Sequence, residues 1–311
     1  MTINSNLNTF LNKPVTDYSI KDGIQNTETL VYRIRISYDD YDNGTTIVSL
    51  IDAFAKDPKA SSVKELIFGA FDYESSDSTE GIVGKLVEYK DVFKNLKAIF
   101  IGDITYEENE ISWIKQSNVG LVLNAYPQLE HFQVRGGDDL TFGKIDHANL
   151  KTLIIESGGL PPNVIAEVSN AQLPELQKLE MWLGSENYGF NSTIEDLATI
   201  TSGKAFPKLK HLGLMDSEIQ NEIAIVVAQS PILHQLETLD LSMGILDDNG
   251  GEALLQSEGI KKLKYLNLRH HYLSDAMMAK LKTLGIEINL DDQEEADVDD
   301  DESYRYIEVS E

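Results

Sequence analysis

Hydrophobic positions along the chain follow one short pattern, L-x-x-L-x-L, that returns nine times. Its clearest copies are Leu263-Lys-Tyr-Leu-Asn-Leu-Arg269, Leu236-Glu-Thr-Leu-Asp-Leu, Leu209-Lys-His-Leu-Gly-Leu and Leu176-Gln-Lys-Leu-Glu-Met. Leu150-Lys-Thr-Leu-Ile-Ile, Leu129-Glu-His-Phe-Gln-Val, Leu96-Lys-Ala-Ile-Phe-Ile and Val63-Lys-Glu-Leu-Ile-Phe precede them, and Val31-Tyr-Arg-Ile-Arg-Ile opens the series. The start-to-start spacings are 32, 33, 33, 21, 26, 33, 27 and 27 residues. Within a copy, apolar fourth and sixth positions alternate with mixed residues, the period-two mark of a strand with one buried face. Between copies the period becomes helical: Ile47, Leu50, Ile51 and Phe54 share one stripe, and so do Ile219, Ile223, Val226 and Val227. Leu246–Leu255 and Leu273–Leu281 each read as turn, N-cap and helix. Helices pack about 8–10 Å apart and strands about 4.8 Å, so a stack of such units bends with its strands on the inside.

These features predict an α/β leucine-rich repeat solenoid, a curved horseshoe with about nine parallel strands on the concave face and helices on the convex face. The copies at Leu236–Leu255 and Leu263–Leu281 resemble the ribonuclease-inhibitor-like class of leucine-rich repeats, a resemblance that covers roughly residues 31–290. Arg135-Gly-Gly137, Glu156-Ser-Gly-Gly-Leu160, Trp182-Leu-Gly184, Leu239-Asp-Leu-Ser242 and Tyr306-Ile-Glu-Val-Ser-Glu311 together resemble a bacterial family of cytosolic leucine-rich repeat proteins of unestablished function. That family tends to be encoded beside radical-SAM, ATP-grasp and hydrolase-like genes, so the resemblance implies a partner encoded nearby. One departure concerns the turn after each strand: Gly137, Gly158, Gly184, Ser217, Gly244 and His271 stand where the class places asparagine. Glycine's freedom at positive φ is then expected to make the turn.

A solenoid grows in one dimension, so 311 residues are read as one elongated domain. The expected layout is an N-terminal cap at 1–30, the repeats at 31–290, an acidic disordered linker at 291–303 and a strand-like peptide at 304–311. The cap is a candidate cover for the apolar inner residues of the early strands, Ile67, Ala98 and Phe100. In the terminal peptide, Tyr304, Tyr306, Ile307 and Val309 regain a strand-like pattern, expected either to stay unstructured or to add onto an edge, in cis or on a partner.

The chain holds 26 basic and 52 acidic residues, a net charge of −26. That field repels nucleic acid and anionic membranes and attracts a protein with a basic patch. With no cysteine, no targeting leader and no membrane-length apolar run, a cytoplasmic monomer is expected. No nucleotide, metalloprotease or hydrolase motif occurs, and His131 and His211 lie three strands apart, so neither metal, cofactor nor catalysis is expected. Asp247-Asp248-Asn249-Gly250 reads as a helix N-cap rather than a calcium loop.

Specific function is expected on the inner face, where strand positions three, five and seven point. In-register stacking makes Arg135, Glu156 and Trp182 successive neighbours, an exposed indole beside an ion pair, unless Tyr188 or Phe190 covers the indole. Gln133, Lys178, Glu180, Met215, Asp240, Tyr265, Asn267 and Arg269 complete the predicted surface on strands four to nine. The first reading is a non-enzymatic scaffold gripping a protein partner there. A second is an acidic regulator or inhibitor of a GTPase, nuclease or other basic-patched enzyme; a third is an enzyme using Arg135, Glu156, Glu180 and Asp240.

Overall fold

Positions one, four and six of every copy are withdrawn from water, which is what holds the strands side by side. The first positions, from Val31 to Leu263, are at most 5 % exposed, and the pairs at positions four and six, from Ile34 and Ile36 to Leu266 and Leu268, at most 1 %. A computed structural model describes residues 3–74, 76–299 and 302–310. It has the mixed α/β leucine-rich-repeat fold, and its packing divides it into two units, one ending at Leu153 and the other running from Ile154 to Ser310. The repeats expected in one undivided domain are shared between these units.

In the first unit the strands are β1 (Thr9–Phe10), β2 (Lys13–Asp17), β3 (Val31–Ile34), β4 (Glu65–Phe68), β5 (Ala98–Ile101) and β6 (His131–Arg135). β1 and β2 form an antiparallel hairpin, and β2 to β6 run parallel, each paired with the next. The boundary falls inside β7 (Thr152–Glu156). The second unit continues with β8 (Lys178–Gly184), β9 (His211–Ser217), β10 (Thr238–Asp240), β11 (Tyr265–Asn267) and β12 (Glu287–Asn289), β8 to β12 again parallel. It ends in an antiparallel hairpin of β13 (Asp297–Asp299) and β14 (Glu302–Tyr304). All nine copies thus form strands. β2 and β12 extend the series beyond the repeats that the pattern marks.

Helices of the first unit are α1 (Tyr38–Asp42), α2 (Ile47–Lys56), α3 (Glu80–Glu88) and α4 (Gly120–Ala125); those of the second are α5 (Pro162–Ser169), α6 (Ala198–Thr201), α7 (Gln220–Ala228), α8 (Asp248–Gln256) and α9 (Asp275–Leu281). α2 starts from a Thr46–Ser49 capping box and buries Ile47, Leu50, Ile51 and Phe54, as their spacing predicts. Asp247 and Ser274 cap α8 and α9 by accepting from Asn249 and Met277 backbone N–H. In α7 the buried stripe is Ile223, Ala224 and Val227, while Val226 is 36 % exposed. The 21-residue repeat from Leu129 to Leu150 carries no helix between β6 and β7 among the described residues.

The turn after the strand departs from expectation by one residue. Gly136, Asp216, Met243 and His270, not Gly137, Ser217, Gly244 and His271, take the left-handed conformation, at φ of 109°, 53°, 71° and 56°; Gly184, at 76°, does so as expected. Three of these five are not glycine, and each such residue carries about 1–2 kcal/mol of backbone strain.

Within the first unit the chain's own N-terminal segment covers the inner face. Phe10 stacks on Phe100 at 6.4 Å and meets His131 edge-on at 5.1 Å. Phe10, Val31, Ile67, Ala98 and Phe100 form one core cluster with Leu7 and Val15 packed against it. A sheet with apolar groups on both faces needs such a cover to keep the second face from water. Among the described residues, no helix is long and apolar enough to cross a membrane.

Candidate functional site

Burial separates the predicted surface into two groups. In the first unit, Gln133 is 7 % exposed and Arg135 4 %. The Arg135 guanidinium donates to the Ile104 carbonyl at 2.8 Å and lies 5.4 Å from the Phe100 ring centre, so it serves its own unit's interior. Glu156 is 2 % exposed, and Trp182, expected to stand free as an anchor, is also 2 % exposed. Trp182 stands in register with Met215, itself 8 % exposed, so this indole is spent on the protein's own packing. The exposed patch of Arg135, Glu156 and Trp182 is therefore not present.

What stays partly open is a polar row in the second unit, comprising Lys178, Glu180, His211, Thr238, Tyr265, Asn267 and Arg269. Register builds it. Lys178 of β8 faces His211 of β9, which faces Thr238 of β10 and then Tyr265 of β11; the next row is Glu180, Gly213, Asp240 and Asn267. Gly213 leaves a gap between the two carboxylates, and a Cβ there would meet Glu180 Cγ at 2.8 Å.

Glu180 uses that gap. Its Oε1 is 2.9 Å from Lys178 Nζ and 2.7 Å from His211 Nε2. The second approach is an ion-pair contact short of hydrogen-bond alignment, and Nε2 itself is buried. Burial pushes the Glu180 carboxyl up, but His211 and Lys178 more than offset it and hold it below the usual carboxylate range. Asp240, 7 % exposed, accepts from Ser242 Oγ at 2.6 Å and from Asn267 Nδ2 at 2.9 Å. The row thus has fixed carboxylates, one imidazole and a partly exposed tyrosine on parallel strands.

The C-terminal segment borders this row. The acidic stretch expected to be disordered instead continues the backbone pairing: His270 and His271 donate to the Asp291 and Asp292 carbonyls, and Glu294 donates to His271 at 2.8 Å. The Arg269 guanidinium pairs with Asp292 and Glu308, offsetting the local negative charge that argued for disorder. Asp300, Asp301 and Glu311 lie outside the described residues.

Beyond β14 the peptide docks in cis, onto strand ends rather than as a further strand. Glu308 N–H donates to the Met243 carbonyl at 2.8 Å and Val309 N–H to Asp216 Oδ1 at 3.0 Å, both at left-handed turn residues. Tyr272 Oη accepts from Tyr306 N–H at 2.9 Å, and Arg305 pairs with Asp247. Ile307 and Val309 are 8 % and 5 % exposed, whereas Tyr304 and Tyr306 are 43 % and 58 % exposed.

Asp216 makes this docking pH-dependent. Burial pushes its carboxyl well above the usual range, with the Val309 N–H opposing the rise and neighbouring Glu308 adding to it. A carboxyl raised in the docked state favours docking while it is neutral. That contribution is complete below the ordinary carboxylate pKa and is lost as pH rises through the raised value. Amide exchange at Val309 is therefore expected to quicken with pH beyond its intrinsic base dependence. Asp216→Asn should remove the excess; an unchanged excess in that variant would discount the carboxyl.

Reading the strand pattern placed His211 on the inner face but did not join it to Glu180 and Asp240, and it missed Asp216. The available signal was the gap at Gly213, which matters only once the register is known.

No protein-family model matches the chain. No curated protein matches it either. Among solved structures it is similar to a structural-genomics target from Bacteroides fragilis, with 36 % identity and a TM-score of 0.81 over 89 % of this chain and 76 % of that one. An internalin from Listeria monocytogenes aligns at 15 % identity and a TM-score of 0.38 over 77 % of this chain and 56 % of its own. The identity and coverage of the first alignment place this chain in the same family as the Bacteroides fragilis protein.

Proposed function

We propose that the chain is a non-catalytic scaffold that binds a partner protein on the polar inner row of its second unit. The observation that carries this reading is selective covering: the N-terminal segment closes the inner face of the first unit, and the terminal peptide takes the strand ends of the second. Lys178, Glu180, His211, Tyr265 and Asn267 stay partly accessible on a sheet that holds them in fixed register. A rigid array loses little conformational entropy on binding. Tyr265 is the anchor in place of Trp182, because a partly exposed tyrosine offers apolar area with one polar handle. Net charge of −26 favours a partner with a basic patch and a fast, salt-sensitive encounter.

The test is capture from an extract of the source organism with the full chain and with the double variant Glu180→Arg/Tyr265→Ala. The wild type should retain a defined protein that the folded double variant loses, with retention falling as salt rises. Equal retention by a folded double variant would contradict the reading. A partner held equally at all salt concentrations would contradict its electrostatic part.

A further inference from the structure

We infer that Glu180, His211 and Asp240 form a binding site for one divalent first-row transition-metal cation on the inner face of the second unit. Their ligand atoms lie within 4.8 Å of one another and come from three adjacent strands. Ligands about 2.0–2.2 Å from a shared tetrahedral ion stand about 3.3–3.6 Å apart, so closure asks for at most about 1.5 Å of side-chain adjustment. Three further observations make the group more than adjacent acids.

First, His211 Nε2 is buried against the Glu180 carboxylate, 2.7 Å away, without an aligned hydrogen bond to it. An imidazole nitrogen withdrawn from water costs free energy unless something occupies its lone pair or takes its proton. Second, Gly213 lies between Glu180 and Asp240 in the register, and a side chain there would fill the space in which the carboxylates converge. Third, the carboxylates already have supporting contacts. Ser242 and Asn267 hold Asp240, as second-sphere groups hold ligands in metal sites.

Two carboxylate oxygens and one imidazole suit zinc or manganese better than magnesium, which prefers oxygen ligands alone. Lys178 is the competing cation at Glu180, but its side chain is 36 % exposed and flexible enough to leave as a metal enters. Three protein ligands leave a coordination position for water or for a group of a bound protein. The inference does not depend on the proposed protein partner.

The test uses the full chain alone, stripped with chelator and titrated calorimetrically with ZnCl2 and MnCl2. One ion per chain is expected, with affinity at least about tenfold lower in His211→Ala and Asp240→Asn. Glu258→Gln, at an exposed acid of the same unit, should bind as the wild type does. Should His211→Ala fail to fold, the wild type itself decides: zinc should shift the ring signals of one of the six histidines in nuclear magnetic resonance spectra. Absence of saturable binding, or equal affinity in folded His211→Ala and Asp240→Asn, would overturn the site, and so would histidine signals that do not move. Because no partner is present, failure here leaves the scaffold reading intact, and equal partner retention by the Glu180→Arg/Tyr265→Ala variant leaves the metal site of the wild type intact.

Discussion

Asp103→Ala is expected to release the N-terminal segment from the inner face of the first unit and to cost about 3–5 kcal/mol of stability. Asp103 is fully buried. Its carboxylate lies 2.7 Å from Arg33 Nη1 and accepts from Leu7 N–H at 3.2 Å. Burial pulls the Arg33 pKa down, but Asp17 and Asp103 together hold it above the usual value, so the guanidinium depends on its acids. Removing Asp103 leaves that cation with Asp17 as its one carboxylate among the described residues, and the Asp17 side chain is 51 % exposed. Asp17→Ala is therefore the control and should cost at most about 1 kcal/mol, because water replaces an exposed partner cheaply. Loosening residues 3–17 also uncovers Phe100 and Ile67. Urea denaturation with amide exchange along residues 3–17 separates the outcomes; equal losses in the two variants would show that the buried pair does not hold the segment.

Gly184→Ala should be as damaging in the second unit, at about 4–5 kcal/mol, because backbone atoms are in the way. Gly184 sits at φ +76°, and a Cβ there would come 2.0 Å from the Gly158 carbonyl oxygen and 2.4 Å from Gly159 N. Neither neighbour can rotate aside. Gly285 is the comparison, at φ +77° with nothing within 4 Å of the same added atom. Gly285→Ala therefore carries only the left-handed strain, about 1–2 kcal/mol. Thermal unfolding of the two variants isolates the contact from the dihedral, and similar losses would refute the crowding at Gly158.

Much of this was legible in the sequence because a leucine at positions one, four or six has one physical use wherever it recurs. The nine strands, α2 and the caps of α8 and α9 follow from spacing and local chemistry. Exposure on the inner face did not, because it depends on what distant segments cover. Trp182 and Arg135 occupy inner-face positions in the pattern yet are 2 % and 4 % exposed. The N-terminal cap over the early apolar residues was one of the alternatives the sequence offered, and Phe10 against Phe100 shows how it packs. The acidic run misled because charge was counted without its partners; Arg269 and the backbone of His270 and His271 order its first half. At four turns the left-handed residue, Gly136, Asp216, Met243 or His270, stands one position before the one expected, and three of these show that residues other than glycine take positive φ there. The grouping of Glu180, His211 and Asp240 joins residues up to 60 positions apart, and only the strand register brings them together.

The central claim is that the polar row on β8 to β11 meets the partner while the helical side does not. Site-specific photocrosslinking tests it directly, with the reactive residue placed in turn at position 265 on β11 and at position 226 on α7, where Val226 is 36 % exposed. Adducts with one defined protein from position 265 and none from position 226 are predicted. Adducts from position 226 with none from 265 would contradict the account.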